Sequence, residues 1–191
     1  MADDLPDKEK SSEKTNVLFI GGVTDGTLDN TGDILKPENR ARFYREFESD
    51  QGGKADLITG DAGKERDKTQ STEELVTHNL LLSEILMALH CQKEGGCFIL
   101  KIFDMASDFT INLIQVLSYC YAEVGLFKPT SSRQASSEKY LVCKKFKVNG
   151  DDLESIISDL ERLLAADVQD GEVIDLSNGK FYGKAIVTTI D

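Results

Sequence analysis

Short apolar runs alternate along this chain with longer segments in which apolar residues recur at helical spacing. Apolar runs bounded by Gly, Pro or polar clusters predict strands at 17–20, 55–59, 97–103, 124–127 and 138–143. Helical spacing and start signals predict helices at 37–47, 72–92, 108–122 and 152–165. The pattern at 173–189 fits either a short hairpin or a loop with a helix. The alternation predicts an α/β fold with a mostly parallel sheet and flanking helices.

Three regions of the chain differ in composition. Residues 1–15 are polar and charged with almost nothing to bury, which predicts a disordered acidic tail. Residues 16–150 carry the alternating elements and are predicted to form one domain, followed by a C-terminal helical extension at 151–191. No apolar run approaches the roughly 18 residues that span a bilayer, and the first residues do not resemble a secretory signal. We therefore expect an intracellular protein, nuclear or cytoplasmic, with no membrane partner.

The charge of the chain is unevenly distributed. The formal net charge of −12 argues against a nucleic-acid partner, because contacts to phosphates need Lys and Arg. However, residues 151–175 hold nine acidic residues and one basic residue, whereas residues 123–147 hold six basic and two acidic residues. This asymmetry permits a basic face, and therefore an RNA partner, on an acidic protein.

Potential metal ligands are few and poorly spaced. Four cysteines lie among apolar residues without CxxC spacing: Cys91, Cys97, Cys120 and Cys143. That setting favours buried thiols over a zinc site or disulfides. His78 and His90 are twelve positions apart on the predicted long helix, which favours surface or packing roles over metal binding or catalysis. We predict no metal site.

Three polar residues lie in or beside predicted strands, near the strand ends at which open α/β sheets bind their ligands. Asp61 ends the second predicted strand, Lys101 interrupts an otherwise apolar strand, and Glu138 opens the strand at 138–143. An uncompensated buried lysine is costly, so we expect Lys101 to meet a carboxylate or to open onto a cleft. From these residues alone, a structural ion pair is as well supported as a catalytic cluster.

Four ordered motifs carry a family resemblance. They are T-G-D-I-L-K-P-E-N at 31–39, D-L-I-T-G-D-A-G at 56–63, G-G-C-F-I-L-K-I-F-D at 95–104 and L-F-K-P-T-S-S-R-Q-A-S-S-E-K-Y-L-V-C-K at 126–144. In this order they resemble FtsJ-like RNA 2′-O-methyltransferases, in particular the branch that methylates the 2′-hydroxyl of capped mRNA, over about residues 31–150. The resemblance implies a Rossmann-like methyltransferase fold that uses S-adenosylmethionine as cofactor and RNA as substrate.

The resemblance also implies roles for individual residues. Members of the family methylate a ribose 2′-OH with a Lys-Asp-Lys-Glu tetrad, and its second, third and fourth members match Asp61, Lys101 and Glu138. Positions that match cofactor contacts are Gly32, Asp33 and Asp61. Positions that match RNA contacts are Ser71, Thr72, Arg133 and Ser136.

Two parts of the family pattern have no counterpart in this sequence. Relatives open with a strand and a D-x-x-x-x-P-G-G loop, whose backbone N–H groups approach the cofactor. The segment at 19–27, F-I-G-G-V-T-D-G-T, has glycines but no Pro-Gly-Gly, and we expect Gly21-Gly22 to form a simple turn. Neither Lys8, Lys10 nor Lys14 matches the first tetrad lysine. The methyltransferase fold is therefore expected to be incomplete at its N-terminus, unless 17–22 or a protein partner completes the sheet.

The missing lysine has an electrostatic consequence for Lys101. A lysine must be neutral to accept a proton, and its ordinary pKa is about 10.4. Two carboxylates beside Lys101 stabilise its ammonium, and without a second lysine it should serve poorly as a base.

The leading hypothesis is a methyltransferase acting on capped mRNA, and the alternative is a catalytically impaired relative that binds RNA or protein. A third hypothesis, an unrelated nucleotide-binding enzyme, predicts that Asp61, Lys101 and Glu138 do not cluster.

Overall fold

A computed structural model of the chain describes residues 33–62 and 73–165, apart from residues 52, 104, 106 and 134, together with residues 187–189. The helices are α1 (Pro37–Gln51), α2 (Glu73–Cys91), α3 (Asp108–Cys120) and α4 (Gly150–Ala165). The strands are β1 (Ala55–Gly60), β2 (Gln92–Ile102), β3 (Tyr121–Phe127), β4 (Lys139–Phe146) and β5 (Val187–Thr189). The strand predicted at 17–20 and the tail predicted at 1–15 lie outside the described residues.

The five strands form one sheet in the order β1-β2-β4-β3-β5. β1 is parallel to β2, β4 is antiparallel to both β2 and β3, and β3 is parallel to β5. Four strands therefore run in one direction and β4 alone runs against them, which confirms a mixed α/β fold with a mostly parallel sheet. Because β4 is reversed, its first residues lie at the same end of the sheet as the last residues of β1 and β2. We call this end the C-terminal rim; it comprises Gly60–Ala62, Lys101–Phe103 and Glu138–Tyr140.

The core consists of apolar faces that the helices and strands present to one another. On α2 the residues at i, i+3, i+4 and i+7 are fully buried, and they are Leu82, Ile85, Leu86 and Leu89. This face packs against β1, β2 and α4, while α3 packs against β3 and β4. Phe98 and Leu100 of β2 are also fully buried, as expected for a strand in the interior of a sheet.

β2 begins earlier than its apolar run predicts, at Gln92 rather than Cys97. The ladder with β1 jumps from the pair Ala55–Gln92 to the pair Leu57–Cys97, so several residues of β2 bulge out beside a single residue of β1. Gly96 lies in this bulge, where an added Cβ would lie only 2.9 Å from the backbone oxygen of Asp56. The bulge depends on this close backbone approach, which apolar periodicity does not reveal.

The region predicted as a C-terminal extension contains both a helix and a strand. α4 packs against α2 through the buried Ile156 and Leu160. β5 adds to the edge of the sheet beside β3. The described part of 151–191 therefore contacts α2 and the edge of the sheet.

The described residues also bear on the membrane and metal expectations. None of the described helices is long and apolar enough to cross a membrane. The four cysteines are free, and burial raises the pKa of Cys91, Cys120 and Cys143 to about 12 in each case. Within the described ranges there is no group of three or more His, Cys, Asp or Glu side chains arranged to hold a metal ion.

Candidate active site

Three of the predicted site residues lie together at the C-terminal rim. Asp61 directly follows β1, Lys101 is the penultimate residue of β2, and Glu138 directly precedes β4. The ladder pairs Gly60 with Leu100, so Asp61 comes beside Lys101, and the Lys101 Nζ donates a hydrogen bond within an ion pair to Asp61 Oδ1. This clustering is the opposite of what an unrelated nucleotide-binding enzyme predicts.

Glu138 is held on the other side of Lys101 by a tyrosine. Tyr140 is the ladder partner of Lys101, and its hydroxyl donates to Glu138 Oε1 at 3.0 Å. Lys101 is thus flanked by Asp61, whose carboxylate it binds directly, and by Glu138, whose charge acts on it across the strand pair. The ammonium of Lys101 therefore binds one carboxylate and is influenced by the charge of a second.

These neighbours keep Lys101 protonated. The hydrogen bond to Asp61 raises the pKa of Lys101 most, the charges of Asp61 and Glu138 raise it further, and partial burial opposes them. The side chain is 21% exposed, against 65% for Asp61, and its Nζ lies 5.5 Å from the centre of the Phe103 ring. The raised pKa agrees with the electrostatic argument from the sequence, and near neutral pH Lys101 is a hydrogen-bond donor rather than a base.

The loop that carries Glu138 is organised by a lysine. The Lys128 ammonium donates to the backbone oxygens of Ser136 at 2.5 Å and Glu138 at 3.2 Å. The Ser136 hydroxyl accepts from the Glu138 backbone N–H at 3.3 Å, and the Arg133 carbonyl accepts from the Ser136 N–H at 2.9 Å. The predicted RNA contacts Arg133 and Ser136 therefore lie on the loop that leads into Glu138, with Arg133 exposed. The other two predicted RNA contacts, Ser71 and Thr72, lie outside the described residues.

The predicted cofactor residue Asp33 stabilises the turn that leads into α1. Its Oδ1 accepts the Leu35 N–H at 3.0 Å, and its carbonyl accepts from the Asn39 side chain at 2.9 Å. Arg40, which is buried, donates through Nη1 to the carbonyls of Ile34 and Leu35 at 2.7 and 2.9 Å. No pattern in the sequence singles out Arg40. Gly32, the other predicted cofactor residue of this motif, lies outside the described residues.

An apolar cleft of about 440 Å³ extends from this turn to Asp61. It lies between α1, β1 and α2, and its lining includes Ile34, Phe43, Phe47, Leu57, Met87, Asp61 and Glu84. Two carboxyl groups thus border an otherwise apolar space. In the described part of the chain β1 forms the edge of the sheet, and its Leu57 is 58% exposed.

Glu84 is a residue that reasoning from the sequence missed. It lies on α2 beside fully buried residues, and its Oε1 accepts the Ala62 backbone N–H at 2.6 Å. Burial raises the pKa of Glu84 to about 7 and the charge of Asp61 adds to this, while the bond from Ala62 and the charge of Lys101 act against it. The sequence did contain a signal for this residue, since Glu84 carries the one charged side chain in the stretch L-L-L-S-E-I-L-M-A-L at 80–89.

The two histidines have packing roles. The ring of His78 lies 4.4 Å from that of Phe109, and its Nε2 is 3.1 Å from the hydroxyl of Ser107, which caps α3. His90 stacks on Tyr44 with ring centres 4.2 Å apart. This agrees with the interpretation of both histidines from the sequence.

The basic residues of 123–147 are divided between the two ends of β4. Lys128 and Lys139 lie near the C-terminal rim, where the Lys139 ammonium donates to the carbonyl of Ser137 at 3.1 Å. Lys144 and Lys145 lie at the other end of β4, where Lys145 forms an ion pair with Glu123. Half of the predicted basic surface is therefore remote from Glu138.

Comparison with known proteins shows the family of the chain. A family described as FtsJ-like methyltransferase matches residues 2–146, which begins earlier than the resemblance at 31–150. The chain is 38% identical over 142 residues to the cap-specific mRNA (nucleoside-2'-O-)-methyltransferase 1 of Homo sapiens, covering 73% of this chain and 17% of that protein. It is 38% identical over 136 residues to the protein of the same name from Danio rerio, covering 70% of this chain and 16% of that protein.

Among solved structures, a Plasmodium falciparum protein described as a ribosomal RNA methyltransferase aligns with a TM-score of 0.42 and 28% identity. The alignment covers 61% of this chain and 62% of that chain. The present chain spans about 17% of the length of the curated relatives that it matches. With a family match over residues 2–146, this chain belongs to the FtsJ-like methyltransferase family.

Proposed function

We propose that this chain contributes the catalytic residues of an RNA 2′-O-methyltransferase that acts on capped mRNA and uses S-adenosylmethionine. The observation that carries the proposal is the ammonium of Lys101, which binds Asp61 at the C-terminal rim and whose pKa is raised by the charge of Glu138. The names of the relatives, which specify cap-specific 2′-O-methylation of mRNA, support the choice of substrate. A substrate of this kind implies an intracellular protein, nuclear or cytoplasmic.

The cleft beside Asp61 fits the proposed cofactor chemically. Its apolar walls suit the adenosine portion, while the carboxyl group of Asp61 suits a positively charged group. Asp33 adjoins Ile34, which lines the same cleft. When bound, S-adenosylmethionine supplies an electrophilic methyl group. The residues of this chain would hold it against the rim and exclude water from the reacting atoms.

In the proposed reaction Lys101 binds the ribose 2′-oxygen and sets its direction. Asp61 fixes the ammonium, and Glu138, oriented by Tyr140, accepts a hydrogen bond from the ribose. The 2′-oxygen must lose its proton as the new O–C bond forms. Because Lys101 is protonated near neutral pH, it can take that proton only after losing its own. The rate should therefore increase as the pH is raised above neutrality.

A second positive charge near Lys101 would lower its pKa and permit reaction at neutral pH. In the described part of the chain β1 is an edge strand beside an apolar cleft, so a further strand could pair there and bring such a charge to Asp61. This supports the proposal that a protein partner or another segment of the chain completes the sheet.

The proposal is tested by methyl transfer from radioactive S-adenosylmethionine to a capped RNA oligonucleotide between pH 7 and 9.5. An RNA of the same sequence with 2′-deoxy sugars near the cap is the substrate control. We expect transfer to the ribose RNA alone, and a loss of about 100-fold or more in Asp61→Asn. Asp56→Asn is the matched control, because Asp56 pairs with Lys93 between the same two strands at their other end, at 2.8 Å. Equal transfer to both RNAs, or equal losses in both variants, would contradict the proposal.

A second candidate function, RNA binding without catalysis, is favoured by one observation. The pKa of Lys101 is raised, whereas a base working near neutrality needs it lowered. This candidate predicts that the protein binds capped RNA in a filter-binding assay but transfers no methyl group at any pH in the series. Transfer that is abolished by Lys101→Ala would eliminate it.

A further inference from the structure

The carboxyl group of Glu84 lies directly against the turn that carries Asp61. Glu84 extends from α2, and its Oε1 accepts the N–H of Ala62, the residue after Asp61, at 2.6 Å. The distance is short for an N–H···O bond, so the carboxyl group lies in close contact with the turn. The turn that follows β1 is therefore bonded to α2. The residues on either side of Glu84 in that helix, Ser83 and Ile85, are fully buried.

Gly60, the residue before Asp61, also lies in close contact with Glu84. A Cβ added to Gly60 would lie 3.0 Å from Glu84 Oε1 and 2.8 Å from the Cδ1 of the fully buried Leu100. Gly60 thus leaves the space through which the carboxyl group reaches the turn. Gly60 and Ala62, the residues on either side of Asp61, therefore both lie against one oxygen atom of Glu84.

We propose that Glu84 is a positioning residue: it clamps the Gly60–Ala62 turn to α2 and thereby directs the Asp61 carboxylate toward Lys101. Glu84 acts through Asp61 and does not itself touch the RNA. A tilt of the turn would move the Asp61 carboxylate, which is 65% exposed, away from the ammonium. The proposal deepens the proposed function, since it concerns the same site.

The effect of the Glu84 charge must be distinguished from the effect of its hydrogen bond. Glu84→Gln removes the charge but keeps an oxygen that can accept the Ala62 N–H. Glu84→Met has a similar length but no comparable acceptor, and Glu84→Ala is a second variant without an acceptor in case the Met variant does not fold. The comparison of Gln with Met or Ala therefore isolates the clamp from the direct effect of charge on Lys101.

Three measurements on each variant test the clamp. Hydrogen exchange at the Ala62 amide reports on the bond itself, and an NMR titration of the Lys101 side chain reports on its contact with Asp61. Methyl transfer, with kcat and KM determined separately, reports on the reaction. In Glu84→Met and Glu84→Ala we expect faster Ala62 exchange, a lower Lys101 pKa, and a kcat reduced by about tenfold or more with little change in the KM for RNA. Glu84→Gln should remain within about threefold of the wild type.

These outcomes distinguish a positioning role of Glu84 from a merely structural role. They also distinguish failure of this proposal from failure of the proposed function. If Glu84→Gln is as impaired as Glu84→Met, or if Lys101 titrates alike in all proteins, the clamp does not exist. If the wild type transfers no methyl group but Lys101 and Ala62 respond as expected, the proposed function fails and the positioning role stands.

Discussion

The substitution of Glu84 by Gln should make stability less dependent on pH. Folding raises the pKa of Glu84 from 4.5 to about 7, mainly because burial disfavours the charged form. A group whose pKa is raised on folding binds its proton more tightly in the folded state. Its stabilising contribution is therefore complete below pH 4.5 and is lost as the pH rises toward 7. At about 1.4 kcal/mol per pKa unit, the total loss is about 3 kcal/mol.

Glutamine does not titrate, so the difference in unfolding free energy between Glu84→Gln and the wild type isolates this effect. We expect the variant to gain about 2.5 kcal/mol relative to the wild type between pH 5 and pH 8.5. Urea unfolding monitored by circular dichroism at several pH values measures this difference directly. A difference that stays constant with pH, or that decreases as the pH rises, would refute the reasoning about the burial of Glu84.

Three further predictions concern Lys101 and the packing of the sheet. Asp61→Asn should lower the pKa of Lys101, because the bond from Asp61 is the largest cause of its elevation, and an unchanged NMR titration of the lysine would contradict this. Leu86→Ala should cost about 2–5 kcal/mol in urea unfolding because Leu86 is fully buried, whereas Leu57→Ala, at an exposed position, should cost less than about 0.5 kcal/mol. Gly96→Ala should cost about 1–3 kcal/mol, since its Cβ would meet backbone oxygens at 2.8 and 2.9 Å, and a thermal midpoint equal to that of the wild type would show that the bulge is adaptable.

Much of the fold followed from the sequence because burial imposes a period on each element. The spacing of Leu82, Ile85, Leu86 and Leu89 predicted the buried face of α2, and the apolar run around Phe98 predicted a buried strand. The meeting of Lys101 with Asp61 also followed, because the last residues of neighbouring parallel strands lie at one end of a sheet. Glu138 joins them only because β4 is reversed, which the pattern did not predict.

Other features depend on contacts between distant parts of the chain and could not be predicted from local pattern. The early start of β2 rests on a bulge that needs Gly96 against the backbone of Asp56. The carboxyl of Glu84 has its partner at Ala62, and nothing in an apolar helix specifies which backbone N–H such a group will meet. The basic residues around 123–147 are close in sequence, but β4 carries them to opposite ends of the sheet.

The most direct test of the central claim compares two lysines of β2 that differ in position but not in kind. Lys101 binds Asp61 at the C-terminal rim, and Lys93 binds Asp56 near the start of the same strand. Capped RNA is incubated with S-adenosylmethionine and wild type, Lys101→Ala or Lys93→Ala at pH 9, then digested and analysed for 2′-O-methyl nucleosides by mass spectrometry. We expect methylated nucleosides with wild type and Lys93→Ala, and none with Lys101→Ala. Undiminished methylation by Lys101→Ala would contradict it.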